Sequence, residues 1–557
     1  MKTVKANKEK MITKKNIVSS LIIAGIVLMF SINLVAQSLE QSFLNPPNSV
    51  KPRTWMHAMS GNMSKVGMTK DLEAISDAGQ GGVLLFNVAN GIPYGNVPYN
   101  SDEHQSIIAH AAKECERLEL SFGVHNCSGW SSSGGPWHHA EQSMKMVVWS
   151  ETIVDGGSEI EAILPQPTTI EGFYRDIAVI AYPSLETELI DAEAKPIVTA
   201  SDENFNVDLA TDKKNSTPTR LSKGQYNNPW VTFDYGKEHE ISSLYISLIG
   251  DSGIEVQFEK SNDGENFTPV STIKGATVSK KKVIISDQFD PVKARYFRFS
   301  FDKDFDIREI ELRTTRMFDN YIAYSGIGTT HNYYNGIKEP KPGMVIEKES
   351  IMDLSSSMTN DGMLNTNLPK GKWTVMRFGY TSLGAVNWPA SKWGIGLECD
   401  KFDRNAFKSH FDAFAQKVIN NSQKNAPNAL QYIEIDSYEM GGQNWTENFN
   451  NIFKKEKGYD IIPLLPFFAG RYIDSAETVS DIAYDLNDTY CNLMTNNYFK
   501  YFTELCNKNG LKSYVEPYGH GPVNTLDAVG QIDIPMDEFW VNRDNLNVFR
   551  TVTGSHI

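Results

Sequence analysis

Three glutamates follow predicted strands in the second half of the chain, each among glycine, proline and aromatic residues. Glu439 comes shortly after the β-branched and aromatic run Gln431 to Ile435, which is typical of a buried strand. Glu516 and Glu538 follow two later runs of the same kind. Acids at the carboxyl ends of inner strands form the catalytic face of many (β/α)-barrel hydrolases. We therefore expect the three glutamates to meet in one pocket.

A pair of carboxyl groups at such a face can hydrolyse a glycosidic bond. An inverting enzyme holds a protonated acid and an ionised base about 6.5–9.5 Å apart, whereas about 5–5.5 Å separates the pair in a retaining enzyme. Glu439 is the predicted acid, because poorly solvated surroundings formed by Tyr438 and Trp445 would raise its pKa. Glu538 is the predicted base, and the neighbouring charge of Asp537 would help to hold water and a cation. A helix cap or a salt bridge is the alternative for any one of these acids.

Further polar and aromatic side chains at or near predicted strand ends could contact a sugar. Each histidine among them could instead be a satisfied core residue, and Trp445 could stack on a sugar ring or pack in the core. Glu516 could bind sugar or a cation. The predicted substrate-binding residues are Trp55, His57, Asn87, His125, Asn126, Trp445, Glu516 and His520.

The first part of the chain, residues 43–150, reads as alternating strands and helices. A short strand at Arg53 to His57 is followed by a helix capped by Thr69, and Val83 to Val88 is a continuous apolar strand. A second helix at about Asp102 to Leu118 leads to the strand Ser121 to Asn126. Continuous apolar strands belong to parallel sheets covered on both faces, so the pattern predicts an α/β barrel or a doubly wound sheet.

The period changes in residues 151–370, where short alternating segments predict an all-β insertion. Residues 200–314 within it resemble a discoidin-like jelly roll, whose role could be glycan binding or spacing. The α/β pattern resumes in residues 371–557, with an amphipathic helix at about Asp403 to Ile419. We count about seven strand candidates, and a closed barrel needs eight. The predicted fold is an incomplete (β/α)8-type barrel of the α/β class, interrupted by the all-β insertion.

The N-terminal segment has the composition of a secretory signal. Six lysines precede an apolar run from Ile17 to Val35, and Ala36 is a plausible cleavage point, so residues 1–36 are the predicted signal peptide. An uncleaved membrane anchor is the alternative. The predicted location is exported, periplasmic or extracellular, with no membrane insertion after cleavage.

Charge and cysteine content exclude several classes of function. The formal net charge of −15 falls to about −20 without the signal segment, which carries six Lys and one Glu. Such an acidic protein is a poor partner for nucleic acid or anionic membranes. The five cysteines lack the spacing of a zinc site or a disulfide framework. No Gly-rich phosphate-binding motif follows a strand, which disfavours a dinucleotide or phosphate enzyme.

Four motifs together resemble glycoside hydrolase family 106, the α-L-rhamnosidases. They are residues 61–73 (GNMSKVGMTKDLE), 436–446 (DSYEMGGQNWT) with 457–463 (KGYDIIP), 516–522 (EPYGHGP), and 533–540 (DIPMDEFW). The resemblance implies a secreted, inverting α-L-rhamnosidase that is assisted by calcium. The predicted function is exo-acting removal of terminal rhamnose from a polysaccharide. Possible calcium ligands are Asp436, Glu516 and Asp537, and calcium itself is implied by the resemblance alone. Family members continue beyond this C-terminus, so the chain is expected to be truncated.

Two other functions remain open at this point. The first is a different barrel glycosidase, which could be retaining, and the carboxylate spacing would distinguish it. The second is a non-catalytic carbohydrate-binding protein, which the discoidin-like insertion and the expected truncation favour. Three acid-bearing strand ends argue against simple binding.

Overall fold

The computed structural model describes residues 39–538, apart from 132, 215–216, 226–227, 251–253, 275, 280–281, 328–335 and 520. The predicted signal peptide lies outside these residues. None of the helices in the described ranges is both long enough and apolar enough to cross a membrane.

The first part of the chain alternates strands and helices as expected. Its elements are α1 (Leu39–Leu44), β1 (Arg53–Met59), α2 (Lys65–Asp77), β2 (Gly82–Val88), α3 (Asp102–Arg117) and β3 (Ser121–Ser128). The side chain of Ser64 caps α2 by accepting a hydrogen bond from the Gly67 N–H. The helix therefore begins one turn before Thr69, and the predicted Thr69 cap is wrong.

A mainly antiparallel part follows, with one short helix and several helical turns between its strands. Its elements are β4 (Lys145–Gly156), β5 (Glu159–Ile163), β6 (Tyr174–Pro183), α4 (Glu186–Glu193), β7 (Ile197–Ala200), β8 (Thr219–Leu221), β9 (Trp230–Ile249), β10 (Glu255–Ser261), β11 (Thr268–Lys274), β12 (Ala276–Ser279), β13 (Lys282–Phe301), β14 (Phe305–Arg313), α5 (Tyr321–Tyr324), β15 (Val345–Ile346), β16 (Met352–Asp353), β17 (Met363–Asn367) and β18 (Gly371–Ser382). One sheet has the order β11-β10-β13-β9-β14-β8, with β12 on β13 and β7 on β9. This sheet has its own apolar core, in which the rings of Phe258, Phe297 and Phe299 stack. A second antiparallel sheet has the order β16-β6-β18-β4, and β5 pairs with β17.

The last part returns to helices and parallel strands. Its elements are α6 (Arg404–Ala413), α7 (Ala415–Asn425), β19 (Leu430–Ile435), α8 (Phe449–Lys457), β20 (Tyr472–Ile473), α9 (Ala476–Leu493), α10 (Lys500–Lys508), β21 (Lys512–Val515), α11 (Thr525–Val529) and β22 (Ile534–Pro535). A π-helical turn, Met494–Phe499, joins α9 to α10. The helix predicted from Asp403 to Ile419 is two helices, because the backbone leaves the helical conformation at Phe414.

Six strands from the first and last parts form one parallel sheet in the order β1-β2-β3-β19-β21-β22. The spatial order follows the chain order and does not reverse within the described strands, which differs from the doubly wound alternative. More than 300 residues separate β3 from β19 in sequence, yet Gly123 lies opposite Tyr432 in register. The whole antiparallel part is therefore inserted in the chain between β3 and β19, which are neighbours in the parallel sheet.

The two faces of this parallel sheet are chemically different. Val83 and Leu85 of β2 pack with the helices in the main core, whereas Leu84 and Phe86 point to the opposite, inner face, where they meet Tyr432. Side chains alternate along each strand, so every second residue of the neighbouring strands also reaches the inner face. All strands of this sheet run in the same direction. The last inner-face side chains of the strands therefore lie together at the carboxyl edge of the sheet.

Candidate active site

An aromatic stack crosses the inner face of the first three strands. The Trp55 ring stacks on Phe86 with 4.5 Å between centroids, and Phe86 stacks on the His125 ring at 4.6 Å with 9° between the planes. Trp55 is 38% exposed, and His57, two residues farther along β1, is also exposed. The stack therefore begins at an accessible indole and ends at a buried imidazole.

His125 is joined to an acid on the next strand of the sheet. Its Nδ1 is hydrogen-bonded to the Glu434 carboxyl group, and both side chains are fully buried. Burial raises the pKa of Glu434 well above its usual range, and the Asp436 charge adds to this. Burial lowers the pKa of His125 to about 4. At neutral pH the pair is therefore a protonated carboxyl group and a neutral imidazole.

Asp436 and Glu516 meet at the carboxyl ends of β19 and β21. Their carboxyl groups share a hydrogen bond, and the Ser437 N–H donates to Asp436 Oδ1 at 2.9 Å and to Glu516 Oε2 at 3.1 Å. The Tyr518 hydroxyl also donates to Glu516 Oε2, at 3.0 Å. Burial and the Asp436 charge raise the pKa of Glu516 strongly, so Glu516 is the protonated partner.

The acids after β22 lie close enough to act on this pair. The charge of Glu538 raises the pKa of Asp436, after the larger effect of burial. Burial raises the pKa of Tyr518, and the charges of Glu516, Glu538 and Asp537 add to the rise. The Met536 N–H donates to the Val515 carbonyl at 2.9 Å, which fixes the segment that carries both acids beside β21. The structure thus brings Asp436, Glu516, Asp537 and Glu538 to one edge of the sheet.

Glu439 lies in the turn that follows β19. The Tyr438 N–H donates to the Tyr518 carbonyl at 2.7 Å, and the Tyr438 hydroxyl donates to the Gly441 carbonyl at 2.5 Å. Gly519 has a φ of +132°, and a Cβ there would lie 1.9 Å from the Tyr438 carbonyl oxygen, so the two turns can approach only with glycine at this position. Tyr438 is buried, but the Glu439 side chain is exposed. The poorly solvated setting expected for Glu439 is therefore wrong.

Trp445 does not line the site. Only 2% of it is exposed, and its ring packs against Phe449 and Tyr380 in the main core. The prediction that Trp445 stacks on a sugar ring is therefore wrong, and the core alternative is the one observed.

Asn87 and Asn126 are buried at the carboxyl ends of β2 and β3, within the protein interior. Asn87 Oδ1 accepts from His104 Nε2 of α3 at 2.8 Å, and the Asn126 carbonyl is 3.0 Å from His410 Nε2 of α6. Asn87 is 5% exposed and Asn126 is fully buried. The His125 side chain is likewise buried. The predicted role of these residues as substrate contacts stays a prediction, and His520 lies outside the described residues.

Two residues of the site were missed from the sequence. Glu434 lies inside the run Gln431 to Ile435, and an acid within an otherwise apolar strand was the available signal. Tyr518 follows Glu516 by two residues, so both side chains leave the extended chain on the same side. Neither feature reveals its partner, because His125 is 309 residues away from Glu434.

The described acids do not form a metal site in their observed arrangement. No group of three or more His, Cys, Asp or Glu side chains in the described ranges converges as metal ligands. Asp436 and Glu516 instead share a hydrogen bond. The proposed ligand set of Asp436, Glu516 and Asp537 therefore stays a prediction.

The sequence profile of the glycoside hydrolase family 106, described as alpha-L-rhamnosidase, matches residues 44–553. The chain belongs to this family. The match covers both parallel-strand parts and the antiparallel part between them, and it confirms the family resemblance of the four motifs.

Two relatives of this family 106 chain are informative. A protein of Formosa agariphila that carries the name "Putative beta-glucuronidase" is 31% identical over 513 residues, which cover 92% of this chain and 33% of that protein. The structure of a rhamnosidase from Novosphingobium sp. PP1Y is similar with a TM-score of 0.74 and 25% identity, over 91% of this chain and 50% of that one. The chain thus spans about a third and about half of the lengths of these two proteins.

Proposed function

We propose that this chain carries the catalytic centre of an exported α-L-rhamnosidase that removes terminal rhamnose from a glycan with inversion. The observation that carries the proposal is the gathering of Asp436, Glu516, Asp537 and Glu538 at one edge of the parallel sheet, with Glu439 in the adjoining turn. Membership of family 106 supports the substrate class. We further propose that the six parallel strands belong to a (β/α)-barrel, which their unreversed order supports. The antiparallel sheet within residues 200–314 would be a discoidin-like module.

Glu439 remains our candidate for the general acid. Its exposure allows it to reach the glycosidic oxygen, and the fixed Tyr438 backbone on one side of it limits its movement. In the proposed step, Glu439 gives its proton to the leaving oxygen as the bond between that oxygen and the anomeric carbon breaks. The leaving part departs as an alcohol.

Glu538 is the candidate for the general base. It would take one proton from a water molecule, whose oxygen bonds to the anomeric carbon from the face opposite the leaving group. The nearby Asp436 and Asp537 charges give this region a negative electrostatic potential, which stabilises the positive charge that develops on the sugar ring. Protonated Glu516 would hydrogen-bond a sugar hydroxyl without adding a further charge.

Calcium enters this proposal through the family resemblance. When bound, such an ion would supply positive charge that holds neighbouring sugar hydroxyls. The Asp436–Glu516 hydrogen bond would have to open to free ligand oxygens, so no step above depends on the ion. Metal analysis of the purified protein and activity after chelation test this part separately.

A β-glucuronidase is the second candidate, because a relative with 31% identity carries that name. The charge of the site separates the two substrates. A glucuronide brings a carboxylate, which the charges of Asp436, Asp537 and Glu538 would repel, whereas rhamnose is neutral. The acidic edge therefore favours the rhamnoside.

The test compares hydrolysis of 4-nitrophenyl α-L-rhamnopyranoside and 4-nitrophenyl β-D-glucuronide. We expect activity on the rhamnoside, with a loss of at least about 100-fold in kcat for Glu538→Gln and a smaller loss for Glu439→Gln, because 4-nitrophenolate leaves without full protonation. Glu447→Gln is the matched control, because Glu447 is an exposed acid paired with Arg175 on the surface. NMR of the first-formed sugar anomer then reports inversion or retention.

Activity on the glucuronide alone would contradict the proposed substrate. A folded chain that binds rhamnose-containing glycans but hydrolyses neither compound would contradict catalysis by this chain and support carbohydrate binding. Signal cleavage is tested by N-terminal sequencing of the exported protein.

A further inference from the structure

A small cavity lies behind the carboxyl ends of β1, β2 and β3. Its volume is about 10 Å³. Its polar walls come from five places in the chain: the turn after β1, the end of β2, the segment leading into α3 with α3 itself, the end of β3, and the loop before α6. The lining side chains that carry polar atoms are Ser60, Asn87, Tyr99, His104, Ser128 and Ser391.

Five polar atoms of this lining have no hydrogen-bond partner within the described chain. They are Ser60 Oγ, Asn87 Nδ2, Tyr99 OH, His104 Nδ1 and Ser391 Oγ. Each of the five residues is at most 8% exposed. Buried polar atoms in folded proteins nearly always have a partner, and five exceptions around one cavity indicate a guest that hydrogen-bonds to several of them.

The hydrogen-bonding character of the walls defines the guest. His104 Nε2 is 2.8 Å from Asn87 Oδ1, which can only accept, so Nε2 carries the proton and Nδ1 is an acceptor. Burial lowers the pKa of His104 to about 4, which keeps the ring neutral. The Asn87 amide group is a donor, and each hydroxyl can donate or accept. The walls thus match a small neutral guest that both donates and accepts.

The cavity also links the sheet to a loop at its carboxyl edge. The Ser391 N–H donates to Ser128 Oγ at 3.3 Å, and the Ala89 N–H donates to the Pro389 carbonyl at 3.0 Å. The loop of Pro389 and Ser391 is therefore attached directly to the ends of β2 and β3. A guest between Ser391, Ser60 and Asn87 would add a third attachment.

We propose that this cavity binds one internal water molecule that joins the ends of β1 and β2 to α3 and to the loop carrying Ser391. The volume fits one water, and five candidate partners exceed the two to four hydrogen bonds that such a water makes. The site is independent of the proposed catalytic roles. A hydroxyl group of a bound sugar has the same hydrogen-bonding chemistry, so the test must separate these two sources.

The first test is a crystal structure of the full chain without sugar and after soaking with rhamnose. We expect one peak of density in both, at about 2.7–3.2 Å from at least three of the five atoms. An empty cavity, or side chains rotated to bond one another, would overturn the proposal. A peak that occurs only with rhamnose, continuous with the sugar, would show that the guest is a ligand hydroxyl instead.

A second test compares two serine substitutions by thermal unfolding. Ser391→Ala removes a partner of the water, and we expect it to lower the apparent unfolding temperature by about 1–3 °C. Ser422→Ala is the matched control, because Ser422 Oγ is also buried and without a partner in the described chain, but lies on α7 outside the cavity. Its removal should leave the temperature unchanged or raise it. Equal shifts for the two variants would count against the water.

Discussion

Glu434 of β19 and His125 of β3 are hydrogen-bonded between neighbouring parallel strands, and neither side chain has any exposed surface. The pair lies on the inner face, and Asp436 follows Glu434 by two residues, just after the end of β19. This hydrogen bond joins β3 to β19, which are adjacent in space but separated in sequence by the whole antiparallel part. It lies next to the acidic residues at the carboxyl edge of the sheet. The neutral state of the pair also limits the negative charge that is buried there.

Substitution of Glu434 tests the importance of this hydrogen bond for stability. Glu434→Ala leaves a cavity and a buried imidazole nitrogen without its partner, and we expect a loss of about 2–5 kcal/mol in the free energy of unfolding. Glu434→Gln keeps the volume and a donor for Nδ1, so its loss should be less than half as large. Urea unfolding followed by circular dichroism measures both. Equal losses for the two variants would contradict a role for the hydrogen bond.

Buried histidines predict how stability depends on pH. Burial lowers the pKa of His104 and of His138 to about 4 and lowers that of His410 well below its usual value. In the unfolded chain these groups take up protons below about pH 6.5. The unfolded state therefore binds more protons between about pH 6.5 and 4, and the free energy of unfolding falls as the pH falls through this window.

Unfolding midpoints measured from pH 7 to pH 4 test this expectation. His104→Gln should reduce the slope in this window by up to about 1.4 kcal/mol per pH unit, because one proton uptake is removed. Glu434 acts in the opposite sense, since its raised pKa costs stability as the pH rises above its unfolded value near 4.5. The comparison is therefore best made in the Glu434→Gln background. If His104→Gln did not change the slope of the unfolding free energy against pH, this would contradict the lowered pKa of His104 in the folded protein.

Local sequence patterns predicted the elements better than they predicted the site. The apolar run of β2 and the cap-and-helix pattern around α2 depend on neighbouring residues, and the structure differs there by only one helical turn. The burial of Trp445 and Asn87 has a different cause: it depends on packing by Tyr380 on Trp445 and by His104 on Asn87, from other elements of the fold. Such partners cannot be deduced from spacing in one sequence.

Trp388 provides a prediction about substrate binding. Its ring is 44% exposed, while its carbonyl accepts hydrogen bonds from the N–H groups of Trp130 and Ser131, directly after β3. An indole with a fixed backbone at the carboxyl edge can stack on a sugar ring. We expect Trp388→Ala to raise KM for a rhamnose-containing oligosaccharide by about 5–50-fold with a small change in kcat.

The control for Trp388 is Tyr484→Ala on α9, because Tyr484 is 73% exposed and lies on a helix that contacts β20 and α8. Trp388→Phe should recover part of the affinity, since a smaller aromatic face remains. An unchanged KM in Trp388→Ala would refute the contact with sugar without bearing on Glu439 or Glu538.

A buried ion pair lies against the turn that carries Glu439. Lys401 Nζ is 2.8 Å from Glu398 Oε2, both side chains are fully buried, and Nζ lies 5.1 Å from the centre of the Tyr438 ring. Lys401→Met would leave the Glu398 carboxylate buried without its counter-charge, with only hydroxyl donors such as Ser133 Oγ at 3.0 Å, at a cost of about 3–5 kcal/mol. Movement of Tyr438 should also lower kcat by at least about tenfold while KM changes less.

The double variant Lys401→Met, Glu398→Gln removes both charges and separates these effects. It should recover much of the stability, because no uncompensated charge stays buried, yet the support of the Tyr438 ring by Lys401 is still lost. Activity measured at a temperature where all variants are folded is the decisive readout. Full recovery of kcat in the double variant would mean that Lys401 does not position the turn.

Arg471 connects the last part of the chain to the antiparallel part. Its guanidinium is 1% exposed and contacts Glu188 of α4 at 2.8 Å and Glu151 of β4 at 3.0 Å. Glu188 also accepts hydrogen bonds from the Tyr182 and Thr374 hydroxyls, so its carboxylate is held in place without the arginine. We expect Arg471→Met to lower the free energy of unfolding by about 3–5 kcal/mol, because a buried carboxylate loses its counter-charge.

The pH dependence of this variant distinguishes charge from packing. The arginines Arg471 and Arg313 overcome the effect of burial and lower the pKa of Glu151 to about 2. A lowered carboxyl pKa stabilises the fold above the unfolded value near 4.5, and that contribution is lost as the pH falls towards 2. The difference in stability between the parent chain and Arg471→Met should therefore shrink below about pH 4.

Arg220→Met, which breaks only exposed pairs with Asp304 and Asp306, should cost less than about 1 kcal/mol at any pH. A difference for Arg471→Met that stays constant down to pH 3 would assign its effect to lost packing rather than to lost charge.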